Sequence, residues 1–395
     1  MPLTNLNRDL EHQIRQIQQD HRLRSLTPLR QLEHGRIADA GRDYLNLSGN
    51  DYLGLAANRE MVGQFYQQLN PATMLATFGP GAAGSRLMTG NSRIYDLLEK
   101  KLAALYGRES CLVFNSGFHG NAGILPALAG KGDLILADKL CHASLIDGMR
   151  LSRARTIRYR HLDYTQLASI LQAKRDAYRR VFVVSESIFS MDGDRADLRQ
   201  LIALKKKYRC SLYLDEAHAL GVLGSRGLGL AQEEDVVNDI DLLFGTFGKA
   251  LAGLGGFVVC SHIVADYLVN TARSLIFTTA LPPVCLSWLL FVLDRIPEMA
   301  DERDRLQRLA GQLRRDLEKQ GLTTGGSSQI VPVMIGDSAR AVAVAGELRD
   351  RGYWVTAVRP PTVPAGTARL RLSVTAAMSG DDLAPLPPLI AAALR

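Results

Sequence analysis

The chain is poor in the features that mark several large classes of function. Its 395 residues hold only five cysteines (Cys111, Cys141, Cys210, Cys260 and Cys285), an odd number with no C-x-x-C pair. That spacing speaks against a disulfide framework, and most of these cysteines lie in or beside apolar runs, where a reduced cysteine packs as a small hydrophobe. Structural thiols in a reducing cytoplasm are therefore expected. No H-E-x-x-H, no clustered Cys/His set and no G-x-S-x-G elbow is present, so zinc and serine-hydrolase chemistry have no support. Aromatic residues make up 6% and the formal charge of +7 is dispersed, with Lys205-Lys206-Lys207 the only three-lysine run. That run reads as a solvated helix face, and no basic tail suggests a nucleic-acid partner. The longest apolar stretch, Val284 to Leu293, is too short to cross a bilayer, so no membrane partner is expected. Internal repeats and low-complexity tracts are absent. The first residues, Met1 to Asp20, repeat Leu3, Leu6, Leu10, Ile14 and Ile17 at helical spacing, which predicts an amphipathic helix rather than a signal peptide.

What the chain does have is enough apolar surface, 47% of its residues, for a large core. Short apolar runs alternate with helical patterns between Cys111 and Cys260. The predicted strands are Cys111–Asn115, Asp133–Ala137, Thr156–Tyr159, Val181–Ser185, Ser211–Asp215, Asp241–Gly245 and Gly256–Cys260. Leu167–Ala173 and Leu198–Tyr208 read as crossover helices. This rhythm gives an α/β fold with a mainly parallel seven-stranded sheet, covered on both faces. After Pro282-Pro283 a helical pattern runs to Lys319 with one bend expected at Pro297. Then follow a strand (Ile330–Ile335), a helix (Ser338–Arg351) and strands at Trp354–Val358 and Arg369–Thr375, a smaller α+β ending. The division expected is an N-terminal helix and extended segment over 1–55, a large domain over 56–290 and a small domain over 291–395.

Chemistry concentrates at strand ends, where open α/β sheets bind ligands. Lys249 stands in Thr246-Phe247-Gly248-Lys249-Ala250-Leu251-Ala252. It is either an exposed lysine in a glycine loop or, as Phe247, Leu251 and Leu254 suggest, partly buried. Burial lowers a lysine pKa and frees the amine for a Schiff base. Asp215 ends a strand, where it can cap the next turn or pair with a pyridinium nitrogen. His218 lies three residues on. Asn115-Ser116-Gly117-Phe118-His119-Gly120 links a strand to a helix, whose first amides can hold a phosphate. His142, after another strand, can stack on a planar ring or simply pack. Gly79 to Arg86 lacks the lysine of a P-loop, and Gly224 to Gly229 lacks the preceding strand of a dinucleotide fingerprint.

Taken together, these segments resemble the α-oxoamine synthases, fold-type I transferases that depend on pyridoxal 5'-phosphate (PLP). The resemblance runs from Arg24 nearly to the C-terminus. It rests on Ser48-Gly49-Asn50-Asp51-Tyr52-Leu53-Gly54-Leu55, Phe189-Ser190-Met191-Asp192-Gly193-Asp194, Asp215-Glu216-Ala217-His218 and Thr246-Phe247-Gly248-Lys249. Arg359-Pro360-Pro361-Thr362-Val363-Pro364, with Arg369-Leu370-Arg371-Leu372-Ser373, points to the branch that condenses L-alanine with a pimeloyl thioester of acyl carrier protein or coenzyme A. The resemblance implies that Lys249 carries the cofactor, Asp215 meets its pyridine nitrogen, His218 its ring hydroxyl and His142 its face. Gly117, Phe118, Ser190 and Thr246 would line the cofactor and its phosphate. Arg371 and Asn50 would grip the amino-acid carboxylate, and Arg24 and Thr362 would contact substrate. Thr278 or Thr279 would reach the phosphate of a neighbouring subunit, which implies a homodimer with shared sites. Gly49, where serine is common, and His119, where a small residue is frequent, depart from the pattern.

Overall fold

The computed structural model of the protein describes residues 5–395, so Leu3 of the predicted N-terminal helix lies outside the described residues. Contacts between residues divide the chain into two units. One comprises Asn50–Ser190 and Asp194–Leu306; the other comprises the chain up to Gly49, Met191–Gly193 and Gln307–Arg395. The N-terminal segment is thus counted with the C-terminal residues.

The first unit is built on a seven-stranded sheet. Its strands are named here in chain order: β1 Ser110–Phe114, β2 Leu134–Asp138, β3 Arg155–Tyr159, β4 Val181–Glu186, β5 Ser211–Asp215, β6 Leu242–Thr246 and β7 Gly256–Cys260. Each strand predicted from sequence forms to within a residue at either end. The spatial order is β1-β7-β6-β5-β4-β2-β3. Strands β2, β4 and β6 are buried at every position, as apolar runs between two helical layers must be. Pairs from β3 across to β6 are parallel, whereas β7 runs antiparallel to both β6 and β1. The cause lies in the connection. Phe247 to Gly255 is too short for a crossover helix, so the chain turns back and pairs Gly256 with Thr246. The loop carrying Lys249 is therefore the tip of a hairpin. Gly255 closes it at φ +115°, and a Cβ there would come within 2.9 Å of the Phe114 carbonyl.

Helices Gly117–Leu128 and Ala143–Leu151 follow β1 and β2 and pack closely on each other. Their contact is made at Gly148, where a Cβ would lie 2.4 Å from the Asn121 carbonyl oxygen. Beneath them one apolar cluster joins Phe114, Ile124, Leu145, Val184 and Phe244. The long pattern after Pro282 forms two helices, Pro283–Leu293 and Ala300–Lys319. A short 3-10 turn at Ile296–Glu298 separates them, so the bend expected at Pro297 is a full break.

In the second unit the helix predicted near the N-terminus forms over Asn5–Gln19, with Leu6, Leu10 and Ile14 exposed. The segment expected to be extended instead folds into three antiparallel strands, Arg30–Leu32, Arg36–Asp39 and Arg42–Asn46. The single strand expected at Trp354–Val358 is two. Tyr353–Trp354 adds to Arg42–Asn46 in parallel, and Ala357–Val358 pairs with Ala368–Ser373, which also pairs with Ile330–Gly336. Ile37, Tyr44 and Trp354 form a small core beneath the first of these sheets.

Candidate active site

Seven of the residues singled out from sequence line one cavity of about 160 Å³ at the carboxyl ends of β2, β4, β5 and β6: Gly117, Phe118, His142, Asp215, His218, Thr246 and Lys249. Strand geometry explains the convergence. Asp215 ends β5, Thr246 ends β6 and begins the Lys249 hairpin, and Gly117 opens the helix after β1. The hairpin tip is fixed from within: Thr246 Oγ1 donates to the Gly255 carbonyl at 2.9 Å, and Ala252 N–H to the Lys249 carbonyl at 2.9 Å. Phe247 and Leu251 are fully buried and set Lys249 partly inside. Leu254, taken from sequence as a third apolar flank, is instead exposed on the outer side of the loop.

Lys249 Nζ lies 2.8 Å from His218 Nε2, and His218 Nδ1 lies 2.6 Å from the Tyr52 hydroxyl. Tyr52 in turn lies 3.0 Å from Asn50 Oδ1. A consistent direction of protons follows. The lysine donates to Nε2, the ring donates from Nδ1 to the tyrosine oxygen, and the tyrosine O–H donates to Asn50. Asn50 thus joins the site through Tyr52. The preceding Asp51 shapes this turn by accepting the Leu55 and Ala56 N–H groups at 2.9 Å, and burial pushes its carboxyl up to about 6.

Asp215 forms the local cap that the sequence allowed and also lines the cavity. Its Oδ1 accepts the Ala217 N–H at 2.8 Å, a local cap, while Oδ2 accepts from Asn121 Nδ2 at 2.7 Å inside the cavity wall. Asn121 also donates to Ser144 Oγ at 3.0 Å and accepts from the Tyr213 hydroxyl at 2.6 Å, so its amide is locked in one orientation. Ser144 passes the order on to His142. Both its hydroxyl (2.8 Å) and its N–H (3.2 Å) meet His142 Nδ1, leaving the ring proton on Nε2. Burial holds His142 below the ordinary histidine range, as a neutral ring requires. Glu186, opposite Asp215 in the β4–β5 register, accepts the His142 N–H; burial, and then the charge of Asp215, push its carboxyl far up.

Asn121, Ser144, Glu186 and Tyr52 were not singled out from sequence. Asn121 lies mid-helix, and only its pairing across 94 positions with Asp215 reveals it. Ser190 is buried at the start of the turn that ends at Asp194. Thr278 Oγ1 accepts from Asn115 Nδ2 at 3.3 Å, and the same amide reaches the Thr279 carbonyl. His119 is exposed, with its Nδ1 3.2 Å from Ser116 Oγ. Arg24, Thr362 and Arg371 belong to the other unit. There Arg24 donates to Thr362 Oγ1 at 3.0 Å, and Arg371, buried in Ala368–Ser373, donates to Ser373 Oγ at 2.9 Å. No cluster of metal-binding side chains and no helix able to cross a membrane occurs among the described residues.

A lysine at a hairpin tip, a buried acid at a neighbouring strand end and a helix start facing the same cavity are the parts of a PLP site on a fold-type I scaffold. The family model "Aminotransferase class I and II" matches residues 42–386, and the chain belongs to that family as a PLP-dependent acyltransferase. Among curated relatives, an 8-amino-7-oxononanoate synthase from Chlorobaculum parvum is 50% identical over 347 residues, covering 88% of each chain. A solved 8-amino-7-oxononanoate synthase from Francisella tularensis superposes with a TM-score of 0.74 at 27% identity, covering 88% of this chain and 97% of that one. A serine palmitoyltransferase from S. paucimobilis, solved with a bound PLP–myriocin aldimine, superposes with a TM-score of 0.89 at 28% identity, covering 99% and 98%.

The cavity suits the cofactor. Gly117 passes close to Thr246, since a Cβ there would lie 3.1 Å from Thr246 Oγ1. Of the first N–H groups of the helix it opens, that of His119 is capped by Ser116 Oγ at 3.0 Å, and those of Gly117 and Phe118 have no intrahelical acceptor and can meet a phosphate. Asp215 is an acceptor-only group at the cavity wall, suited to a protonated ring nitrogen.

Proposed function

We propose that the protein condenses L-alanine with a pimeloyl thioester, releasing CO2 and the free thiol and forming 8-amino-7-oxononanoate, the carbon–carbon bond-forming step of that branch in biotin biosynthesis. It acts as a cytoplasmic homodimer with shared sites, and the thioester is carried by acyl carrier protein or coenzyme A. The observation that carries this reading is the 50% identity, over 88% of both chains, to a synthase of that name.

Bound at Lys249, PLP supplies the electron sink for the carbanion formed at the alanine Cα and again when CO2 leaves. The chain's residues do the rest. Lys249 holds the cofactor at rest and, once the alanine amine displaces it, removes the Cα proton. A positioned general base of this kind is typically worth roughly 10²–10⁴-fold. Asp215, held in place by the two N–H donors it accepts from Asn121 and Ala217, is assigned the ring nitrogen. His218, steadied by Tyr52, is assigned the ring hydroxyl, and neutral His142 the ring face. Gly117, Phe118, Ser190 and Thr246 are assigned the rest of the cofactor and its phosphate, with Thr278 or Thr279 contributed to the neighbouring subunit. Arg371 and Asn50 are assigned the alanine carboxylate, which a guanidinium fork can grip with two hydrogen bonds. Arg24 and Thr362 are assigned to the acyl substrate.

The test is a panel of alanine, glycine and serine, each with pimeloyl and acetyl thioesters, read by CO2 release. Fastest turnover of alanine with the pimeloyl thioester is expected. Preference for glycine with acetyl, or amino transfer without CO2, would replace this reading with a sister synthase or an aminotransferase.

A further inference from the structure

His161 lies just past β3, outside the set of residues that line the cavity. Its Nδ1 is 2.9 Å from Asp138 Oδ1 and its Nε2 is 2.7 Å from Asp194 Oδ2. A neutral imidazole carries one N–H and can donate to only one of these carboxylates, so the second would face a lone pair. With both side chains present as carboxylates, the two short contacts are met only if the ring carries two protons.

The surroundings argue the same way. Asp138 is fully buried and also accepts the N–H groups of Leu140 and Leu162, each at 2.8 Å, an arrangement that needs a carboxylate. Asp194 Oδ1 is buried with no hydrogen-bond partner among the described residues, so the side chain's pairing runs through Oδ2 to His161. The edge of the His161 ring meets Phe189, with centroids 4.5 Å apart. The Tyr164 and Tyr159 hydroxyls also face the two carboxylates, Cys141 and Glu186 stand near Asp138, and Arg160 on the same segment is paired with Asp163. Burial by itself pulls the imidazole down, but the hydrogen bonds and charges of Asp138 and Asp194 outweigh it and hold the ring up at about 10.

Asp138 belongs to the turn that presents His142 to the cavity, and Asp194 to the turn that carries Ser190, which is assigned to the cofactor. Asp138 ends β2 and organises the turn to His142, its side chain taking the Leu140 N–H and its carbonyl the Cys141 N–H at 3.2 Å. Asp194 closes the turn that begins with Phe189 and Ser190, its carbonyl accepting the Phe189 N–H at 3.0 Å, with a bridge between Ile188 and Arg195. Leu162, next to His161, holds a left-handed φ of 52° and spends its N–H on Asp138, a conformation that the clamp helps to fix.

We propose that His161 is a positioning residue that stays protonated as it bridges Asp138 and Asp194, and that this bridge locks the His142 turn and the Ser190 turn in the geometry that receives the cofactor. The inference rests on His142 and Ser190 being cofactor contacts and is independent of which amino acid and thioester the enzyme uses.

Two measurements on the holoenzyme test it. In protein labelled with ¹⁵N-histidine, with His161→Gln used to identify the signal, both His161 ring nitrogens are expected to remain protonated to above about pH 9. A ring that titrates near neutrality overturns the proposal. In the second, H161Q is expected to weaken PLP binding roughly 10-fold, the scale seen when a group that orients a binding residue is removed. Adding D194N to H161Q removes the partly buried carboxylate left without its partner and is expected to restore most of that loss. Unchanged affinity in H161Q, or no recovery in the double variant, overturns the positioning role. Neither readout depends on turnover, so failure of the proposed substrates leaves this test intact.

Discussion

Replacing Asn121 with leucine isolates the buried network from packing, because the two side chains are similar in size and little cavity or overpacking results. Three hydrogen bonds disappear: to Asp215 at 2.7 Å, to Ser144 at 3.0 Å and from Tyr213 at 2.6 Å. Ser144 keeps His142 as a partner. Tyr213 is fully buried, and orphaning its hydroxyl costs about 1–3 kcal/mol, while the charge-assisted bond to Asp215 is worth about 1.5–3 kcal/mol. Leucine's extra apolar burial gives back about 1–2 kcal/mol, which leaves a net loss of about 0.5–5 kcal/mol, centred near 3 kcal/mol. The assay is urea denaturation of the cofactor-free chain at one fixed protein concentration, followed by circular dichroism. Adding Tyr213→Phe to N121L removes the stranded hydroxyl and is expected to recover about 1–3 kcal/mol. If N121L costs less than about 0.5 kcal/mol, or Y213F adds a further loss in that background, the network is not what holds Asp215.

Other consequences are accessible with single variants. Gly148→Ala would set a Cβ 2.4 Å from the Asn121 carbonyl, so the helices carrying His142 and Asn121 must separate. A destabilisation of about 1–3 kcal/mol with weaker PLP binding is expected by absorbance titration. His161 gives a pH dependence of defined sign. Its folded value of about 10 lies above the ordinary 6.5, so its contribution to stability is complete below about 6.5 and is lost as pH rises through about 10. Denaturation midpoints of H161Q should accordingly fall less over that window than those of the wild type. Arg371→Ala should raise the KM for alanine while leaving that for the thioester nearly unchanged, and the reverse pattern would remove Arg371 from the carboxylate role.

The sheet could be read from sequence because each buried strand is an apolar run bounded by polar turns, as in Leu134–Asp138 and Leu242–Thr246. The three N-terminal strands could not. Arg30–Leu32, Arg36–Asp39 and Arg42–Asn46 are short, arginine-bearing and stabilised by their pairing rather than by their composition. The split at Tyr353–Val358 is equally invisible locally, because the break follows from two partner strands far apart in the chain. Within the site, motif residues such as Lys249, Asp215 and His218 stood out. The roles of Asn121, Ser144, Tyr52, Glu186 and His161 depend on contacts between distant positions, such as those of Asn121 with Ser144, 23 positions on, and of Tyr52 with His218, 166 positions on.

We propose that Lys249, held 2.8 Å from His218 at the tip of the β6–β7 hairpin, is the lysine that binds PLP. Borohydride reduction of the holoenzyme, followed by digestion and mass spectrometry, tests it directly. The pyridoxyl group is expected on the peptide containing Lys249, with no label and no visible absorption band in Lys249→Ala. A label on any other lysine, or a Lys249→Ala protein with an unchanged spectrum, would contradict the account.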